Sequence, residues 1–410
     1  MNESANYDES KVGNHPLPEL LQCEDGTKVI DSSIWTTKRR PEILDLFATY
    51  VYGKFPLDES SITFEEISVN QAAIGGSAIR HEIAINCVAN HKKIRINLAL
   101  YIPKSALKPV PIFLGSNFNG NHAVDQDESI SINTQWMRNT VDEKSVVNNR
   151  ATEFSRGFEA TRWPLELIIE KGFGVATFYY GDVEADHPDG WKNGVRAALS
   201  PSGESSEFED DDWGAISAWS WGLSRAFDYL VTNPAVDSER VALIGHSRLG
   251  KAALWAGALD ERFALVVSNN SGAGGISLAR RDFGESIRSI NENFPHWFCG
   301  NYKRFNASPE TLPVDMHQLA ALIAPRPLYI ASAQEDVWAD PKGEFLAGKN
   351  AEPVYALFGK PGLGVAQWPP VNQPVGEFIG YHIRTGKHDV TTYDWQQFLR
   401  FASRHFRITQ

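Results

Sequence analysis

The pattern of apolar and polar positions changes part-way along the chain. Between about residue 60 and residue 102, alternating or apolar runs such as Ile83–Val88 and Ile94–Ile102 indicate antiparallel strands at a sheet edge. Beyond them, short and continuous apolar runs predict strands that are buried on both faces of a parallel sheet. These runs are Val110–Leu114, Gly174–Tyr179, Val241–Ile244, Phe263–Ser268 and Leu328–Ala333.

Helices are predicted between these strands. Trp163–Lys171 ends at Gly172, a residue type that favours the position just after a helix. The other predicted helices are Trp213–Val231, Lys251–Leu259 and Thr392–Phe406. Because strands and helices alternate, the pattern predicts an α/β fold with a mostly parallel central sheet flanked by helices on both faces, a three-layer sandwich.

The chain shows no internal repeat and no linker that divides it. We therefore expect residues 1–40 to form an N-terminal arm and residues 41–410 to form a single catalytic domain. Two polar stretches, near 125–162 and 204–212, are interpreted as insertions. The second is an acidic run that could hold a cation, although a solvated loop is the commoner meaning of such a run.

Composition narrows the classes of partner. The chain has 410 residues, 42% of them apolar, and a net charge of −12 from 51 acidic and 39 basic side chains. This charge argues against a nucleic-acid partner and against binding to anionic membranes. No apolar run reaches the ~18–20 residues of a membrane span. A monomer is favoured, although the sequence does not determine the oligomeric state.

Cysteine usage and motif searches indicate no metal or cofactor. The three cysteines, Cys23, Cys87 and Cys299, are widely spaced, so neither a disulfide framework nor a zinc site is predicted. No His-Glu-x-x-His motif and no phosphate-binding glycine loop occurs. The start of the chain lacks the basic and apolar parts of a signal peptide. We expect either a cytoplasmic protein or a mature form with an added Met.

Ser247 lies on a predicted turn between the strand Val241–Ile244 and the helix from Lys251 onward, within Gly245-His246-Ser247-Arg248-Leu249-Gly250. A serine on a tight strand-to-helix turn adopts a strained conformation that exposes its hydroxyl, and small neighbours avoid clashes there. The helix that follows directs backbone N–H groups towards a developing oxyanion. This context predicts the nucleophile of an α/β-hydrolase that cleaves an ester, although the second glycine comes one place later than usual.

A serine nucleophile needs a general base, usually a histidine that a carboxylate orients. His388 follows the strand-like run Tyr381–Arg384 and precedes the last helix, which is where this fold places the base. His246 is next to the nucleophile but on the wrong side of the turn. The acid usually follows the preceding strand, and Glu335 and Asp336 both come after Leu328–Ala333. Reasoning from the residues leaves these two carboxylates open.

Several long motifs resemble one family. Gly-His-Ser-Arg-x-Gly-Lys at 245–251, Gly-Ala-Leu-Asp-Glu-Arg at 257–262 and Ser-Gly-Ala-Gly-Gly at 271–275 are similar to the glucuronoyl esterases of carbohydrate esterase family 15. Phe-Pro-His-Trp-Phe at 294–298 and the stretch 335–344 are similar to its bacterial branch. The resemblance spans roughly residues 95–405.

This resemblance implies hydrolysis of the ester that joins glucuronic or 4-O-methylglucuronic acid on xylan to an alcohol of lignin. It implies no cofactor and a secreted or periplasmic protein whose signal has been removed. It also implies that Ser247 is the nucleophile, that His388 is the base and that Arg248 assists the oxyanion hole. A charged donor beside the nucleophile suits a developing negative charge.

The resemblance further implies three substrate-binding residues. Lys251 matches a lysine that binds sugar hydroxyls, Glu285 matches a carboxylate that hydrogen-bonds the sugar, and Trp338 matches a tryptophan near the uronate. Each also has a simpler explanation: Lys251 could be a solvated helix lysine, Glu285 a surface charge and Trp338 a packing residue. Twelve tryptophans, among them Trp163, Trp213, Trp297 and Trp338, offer candidate surfaces on which a sugar ring could stack.

One position departs from the fungal members of the family, which carry the triad glutamate directly before the Ser-Gly-Ala-Gly-Gly stretch. Here that position is Asn270, which cannot carry a negative charge. Since other members place an acid after the following strand, we assign the acid to Asp336. Two rival functions stay open: an acetyl esterase or another sugar-ester serine hydrolase, and a lapsed hydrolase that only binds carbohydrate.

Overall fold

The computed structural model describes residues 5–13, 16–56, 60–200 and 208–408. The described strands are β1 (Ser61–Ala73), β2 (Ala78–Ala89), β3 (Lys92–Pro103), β4 (Val110–Asn117), β5 (Val146–Val147), β6 (Arg150–Ala151), β7 (Gly174–Tyr179), β8 (Val236–His246), β9 (Leu265–Asn269), β10 (Leu328–Ala333), β11 (Val375–Gly376) and β12 (Ile379–Arg384). The described α-helices are α1 (Ser32–Ile34), α2 (Arg40–Phe47), α3 (Asn121–Val124), α4 (Leu165–Glu170), α5 (Val195–Leu199), α6 (Ala215–Thr232), α7 (Arg248–Leu259), α8 (Ile287–Asn293), α9 (Met316–Ala321), α10 (Pro341–Leu357) and α11 (Thr392–Phe406).

The chain divides into two compact units, and one of them comprises the described residues of 55–207, 218–244 and 390–410. Its sheet has the strand order β1-β2-β3-β7-β4-β8. The neighbours from β1 to β7 are antiparallel, whereas β7, β4 and β8 run parallel. The prediction of antiparallel strands at the sheet edge is therefore confirmed for β2 and β3.

The other unit comprises the described residues of 1–54, 208–217 and 245–389. Here β9, β10 and β12 are parallel, and the short β11 pairs antiparallel with β12 at the edge. Every residue of β9, β10 and β12 is buried, as expected for parallel strands covered on both faces. The predicted fold class, α/β with a mostly parallel central sheet flanked by helices, is confirmed.

Several element boundaries differ from the prediction. Helix α4 begins at Leu165 and not at Trp163, because Pro164 has a non-helical backbone at the start of the helix. Helix α7 begins at Arg248, three residues before the predicted Lys251. The sequence pattern did not predict the 17-residue helix α10, which contains two glycines and, in addition to Pro341 at its start, an internal proline, Pro353. These residue types weaken intrinsic helix propensity, so packing against the rest of the unit decides this helix.

The predicted N-terminal arm ends in helical structure. Helix α1 continues through a π-helical segment, Trp35–Arg39, into α2. The Trp35 side chain is fully buried. A second π-helical segment, Ala48–Tyr52, carries Tyr52, whose ring stacks on Trp255 of α7 with a centroid distance of 4.6 Å. These aromatic contacts support the helix that follows Ser247.

The two predicted insertions differ in how much of each the structure describes. The stretch 125–162 contains the β5–β6 hairpin, a short 3-10 helix at Glu153–Ser155 and otherwise irregular backbone. Residues 204–207 of the acidic run lie outside the described residues. In the remainder, Asp210 pairs with Arg304 and Asp211 pairs with Lys54.

Two further observations apply to the described ranges alone. They contain no group of three His, Cys, Asp or Glu side chains suited to a metal ion. They also contain no helix that combines the length and the apolar character needed to cross a lipid bilayer.

Candidate active site

Ser247 sits on a sharp turn between β8 and α7. Its backbone has φ 56° and ψ −128°, which lies outside the regions that non-glycine residues normally occupy. A Cβ on Gly245 would lie 2.0 Å from the carbonyl oxygen of Leu249, so only glycine fits there. A Cβ on Gly250 would lie 3.0 Å from the Ser271 Cβ. The strained turn, with its close glycine neighbours, is the geometry that presents a nucleophilic hydroxyl.

His388 and Asp336 are hydrogen-bonded to each other. His388 Nδ1 lies 2.6 Å from Asp336 Oδ2. A carboxylate can only accept, so Nδ1 donates and Nε2 keeps the lone pair that a general base needs. The Asp336 side chain is 5% exposed and that of His388 is 40% exposed. Glu335, the other candidate acid, is exposed to solvent.

Asn270 contacts the same carboxylate. Its Nδ2 donates to Asp336 Oδ2 over 2.9 Å, and its backbone N–H donates to the carbonyl oxygen of Ala331 on β10. The residue is buried and has φ 47°. Asn270 is therefore a neutral hydrogen-bonding neighbour of the Asp336 carboxylate. One oxygen of Asp336 accepts from both Asn270 and His388.

His246 also contacts the His388 ring, although no role was predicted for it. The His246 and His388 rings lie 4.5 Å apart between centroids, tilted by 39°. Asn269 Nδ2 lies 2.9 Å from His246 Nδ1 and donates to the carbonyl oxygen of Asp389 over 3.0 Å. This arrangement places His246 beside the face of the His388 ring. The adjacency of His246 to Ser247 was the only sequence signal for it.

Arg248 lies over a pair of aromatic rings. Phe294 and Trp297 stack with a centroid distance of 3.8 Å and an interplanar angle of 3°. The Arg248 guanidinium carbon is 5.0 Å from the Trp297 ring centroid and 5.7 Å from that of Phe294. Cation–π contacts of this kind fix the side chain while its charge is retained. The sequence did not reveal this aromatic support.

Lys251 and Glu285 lie together. Lys251 is 3% exposed, which excludes the alternative of a solvated helix lysine. Its Nζ donates to the carbonyl oxygen of Ser271 over 2.5 Å and lies 3.5 Å from Glu285 Oε2. Burial lowers the pKa of Lys251, and the negative charge of Glu285 opposes that effect. The pair presents a donor and an acceptor side by side, which suits vicinal hydroxyl groups.

Trp338 keeps ring surface open to solvent. It is 39% exposed, on the loop after β10, and its carbonyl oxygen accepts from Glu285 N over 2.8 Å. The other three candidates for sugar stacking, Trp163, Trp213 and Trp297, are 8%, 4% and 3% exposed. Those three rings are therefore packing residues. Of these four tryptophans, Trp338 is the one that offers a stacking surface.

Glu344 on α10 is a buried acid to which the sequence analysis assigned no role. It is fully buried, and its two carboxyl oxygens accept from Gly272 N over 3.0 Å and from Ser332 Oγ over 2.5 Å. Burial raises the pKa of Glu344 to about 8. Its bond to Gly272 anchors the loop that follows Asn270. A single glutamate between Gly343 and Phe345 carried no sequence signal for burial.

Similarities to known proteins identify the family of this chain. A family model for fungal glucuronyl esterase matches residues 206–359. Carbohydrate esterase MZ0003, from an unknown prokaryotic organism, is 46% identical over 98% of this chain and 92% of its own. The chain belongs to the glucuronoyl esterases of carbohydrate esterase family 15. As a member, it is a carboxylic ester hydrolase, as its sequence predicted.

Two further similarities support the family membership. The 4-O-methyl-glucuronoyl methylesterase of Schizophyllum commune is 33% identical over 88% of this chain and 80% of its own. The structure of the glucuronoyl esterase from Solibacter usitatus matches with a TM-score of 0.90 and 47% identity. That match covers 97% of this chain and 100% of the other.

Proposed function

We propose that Ser247, His388 and Asp336 form a catalytic triad that hydrolyses esters of glucuronic and 4-O-methylglucuronic acid. The observation that carries this proposal is the 2.6 Å hydrogen bond between His388 and Asp336. The two residues follow β12 and β10, which are neighbouring parallel strands. Parallel strands present their carboxyl ends at one edge, where α/β enzymes assemble their sites. Ser247 N donates over 2.9 Å to the carbonyl oxygen of Asn269, the last residue of β9, which runs parallel to β10.

In the first half of the reaction, His388 Nε2 accepts the Ser247 hydroxyl proton as Oγ attacks the ester carbonyl carbon. Asp336 stabilises the imidazolium that forms. Backbone N–H groups at the start of α7 and the positive charge of Arg248 stabilise the oxyanion. The intermediate then collapses, His388 protonates the departing alcohol, and a glucuronoyl ester on Ser247 results.

In the second half, a water molecule replaces the alcohol. His388 takes a proton from the water as its oxygen attacks the glucuronoyl carbonyl, and the oxyanion again faces Arg248. Collapse breaks the bond to Ser247, whose oxygen receives the proton from His388. The products are free glucuronic acid and regenerated enzyme, so the kinetics are of the ping-pong type.

Lys251, Glu285 and Trp338 support the choice of a uronate substrate. The sugar carries hydroxyl groups that accept from an ammonium and donate to a carboxylate, and its ring face packs on an indole. Lys251 and Glu285 lie 3.5 Å apart, and the Trp338 carbonyl oxygen is hydrogen-bonded to Glu285 N. An acetyl group would use none of these side chains. On this basis, we propose the ester between lignin and glucuronoxylan as the natural substrate.

The proposal is tested with two substrates and one covalent probe. We expect the kcat/KM for benzyl glucuronate to be at least about tenfold above that for an acetylated xylose. The glucuronoyl group can contact Lys251, Glu285 and Trp338, whereas an acetyl group cannot. An active-site serine phosphonate should modify wild-type enzyme at Ser247 and leave Ser247→Ala unmodified. A preference for the acetylated sugar would reject the substrate assignment. Failure to label Ser247 would reject its assignment as the nucleophile.

A further inference from the structure

An N-terminal strap, residues 5–12, packs against the loop that carries Glu285. The carbonyl oxygen of Asn6 accepts a hydrogen bond from Gly284 N over 2.8 Å. The Tyr7 ring meets the Phe283 ring edge-on, with a centroid distance of 6.1 Å and an interplanar angle of 88°. Strap and loop are thus joined by a backbone contact at Gly284 and a side-chain contact at Phe283.

Glu9 attaches the strap through ion pairs with Arg281 and Lys342. Its two carboxyl oxygens bind the two terminal nitrogens of Arg281, over 3.1 and 2.9 Å. Lys342 Nζ lies 2.6 Å from one of the same oxygens. The hydrogen bond from Arg281 is the largest of the effects that keep the pKa of Glu9 below its ordinary value. A fork-to-fork pair of this kind fixes direction as well as distance.

Arg281 also forms an ion pair with a second carboxylate, that of Asp340. Its Nε and Nη2 lie 2.7 and 3.2 Å from the two oxygens of Asp340. Asp340 is 1% exposed, has φ 52° and caps α10 by accepting from Gly343 N. The guanidinium therefore lies between the strap carboxylate and the cap of α10, and it is 9% exposed.

The two loops that the strap joins carry two of the proposed sugar-binding residues. Glu285 lies four residues after Arg281, and Trp338 lies two residues before Asp340. The Glu285 N–H donates to the Trp338 carbonyl oxygen. A Cβ on Gly284 would lie 2.5 Å from that same oxygen, so the loops are in close contact. Movement of Arg281 would disturb both loops together.

We infer that the strap, through the Glu9–Arg281–Asp340 chain of ion pairs, positions Glu285 and Trp338 for binding the uronate ring. Glu9 is thus a positioning residue that does not touch the substrate. Exposed ion pairs usually contribute little, but Arg281 is buried and bonded to a carboxylate on each side. Loss of Glu9 removes two of the four hydrogen bonds that Arg281 makes to Glu9 and Asp340. This inference rests on the proposed function.

The test measures KM and kcat of Glu9→Ala, Glu9→Gln and the control Lys11→Gln on benzyl glucuronate and on 4-nitrophenyl acetate. Lys11 is on the same strap, with a side chain that is 73% exposed and 3.7 Å from Asp8. We expect Glu9→Ala to raise KM for the glucuronate about 3–10-fold, with a smaller rise for Glu9→Gln, which keeps an acceptor oxygen. The values for the acetate and for Lys11→Gln should stay within about twofold of wild type.

Each other result has a defined meaning. An unchanged KM for glucuronate in Glu9→Ala would overturn the inference. An equal loss of kcat on both substrates, together with a lower melting temperature, would also overturn it, because the strap would then only stabilise the fold. If the wild-type enzyme did not prefer benzyl glucuronate to an acetylated xylose, the proposed function would be rejected and this inference with it. That result is obtained with the wild-type enzyme alone, so it is distinguishable from a failure of the Glu9 variants to behave as expected.

Discussion

Replacing Asp336 by Asn removes the negative charge beside His388 while keeping the shape of the side chain. The bond between His388 Nδ1 and Asp336 Oδ2 is 2.6 Å long, and the Asp336 side chain is 5% exposed. Two unit charges about 4 Å apart attract by about 4 kcal/mol at an effective dielectric constant near 20, and by about 1 kcal/mol in water. Since His388 is 40% exposed, a value between these limits applies.

We take about 2–4 kcal/mol as the stabilisation of the imidazolium, which corresponds to a loss of about 30–1000-fold in kcat. The assay is the steady-state hydrolysis of benzyl glucuronate at neutral pH. KM should change little, because Asp336 is proposed to act on the transition state and not on the bound substrate.

Glu335→Gln is the matched control for Asp336→Asn. The two substitutions remove one negative charge from adjacent residues, but the Glu335 side chain is exposed. We expect Glu335→Gln to retain activity within about twofold of wild type. If Asp336→Asn retained more than about a third of wild-type kcat, or if Glu335→Gln were the impaired variant, the assignment of the acid would be refuted.

Three further predictions follow from the same geometry. Asn270→Ala should lower kcat/KM about 3–10-fold, measured on benzyl glucuronate, because one neutral hydrogen bond to the carboxylate is lost; a loss as large as that of the acid variant would contradict this. Gly245→Ala should destabilise the protein more than Gly250→Ala, as measured by urea unfolding. The Cβ added at position 245 would lie 2.0 Å from the carbonyl oxygen of Leu249, whereas the Cβ added at position 250 would lie 3.0 Å from the Ser271 Cβ. Burial raises the pKa of Glu344 from its ordinary value of 4.5 to about 8. The stability that this shift contributes is fully present below pH 4.5 and is lost as the pH rises towards 8. Glu344→Gln cannot ionise, so its free energy of unfolding relative to wild type should rise by about 3 kcal/mol between pH 5 and pH 8, and a difference that is constant with pH would contradict the argument.

The local patterns of the sequence determined the α/β fold class and the turn that carries Ser247. Continuous apolar runs predicted the buried strands, and a glycine on either side of the serine predicted the strained turn. These features depend on residues close together in the chain, where steric limits on the backbone act directly. The position of His388 after the last parallel strand followed from the order of elements. Family motifs supplied the substrate-binding candidates.

Residue patterns by themselves did not separate Asp336 from Glu335, and only the tertiary structure shows which carboxylate contacts His388. Glu335 and Asp336 are adjacent, and their backbone directions alone separate an exposed side chain from a buried one. The same holds for the aromatic pair under Arg248 and for Glu9, which meets Arg281 across more than 250 residues of chain. Such contacts leave no periodic trace in the sequence, because each depends on where two distant backbones are brought together by the packed core. The strained conformation of Ser247 depends on residues close to it in the chain, whereas the contacts of His388 and Arg281 depend on residues far from them in the chain.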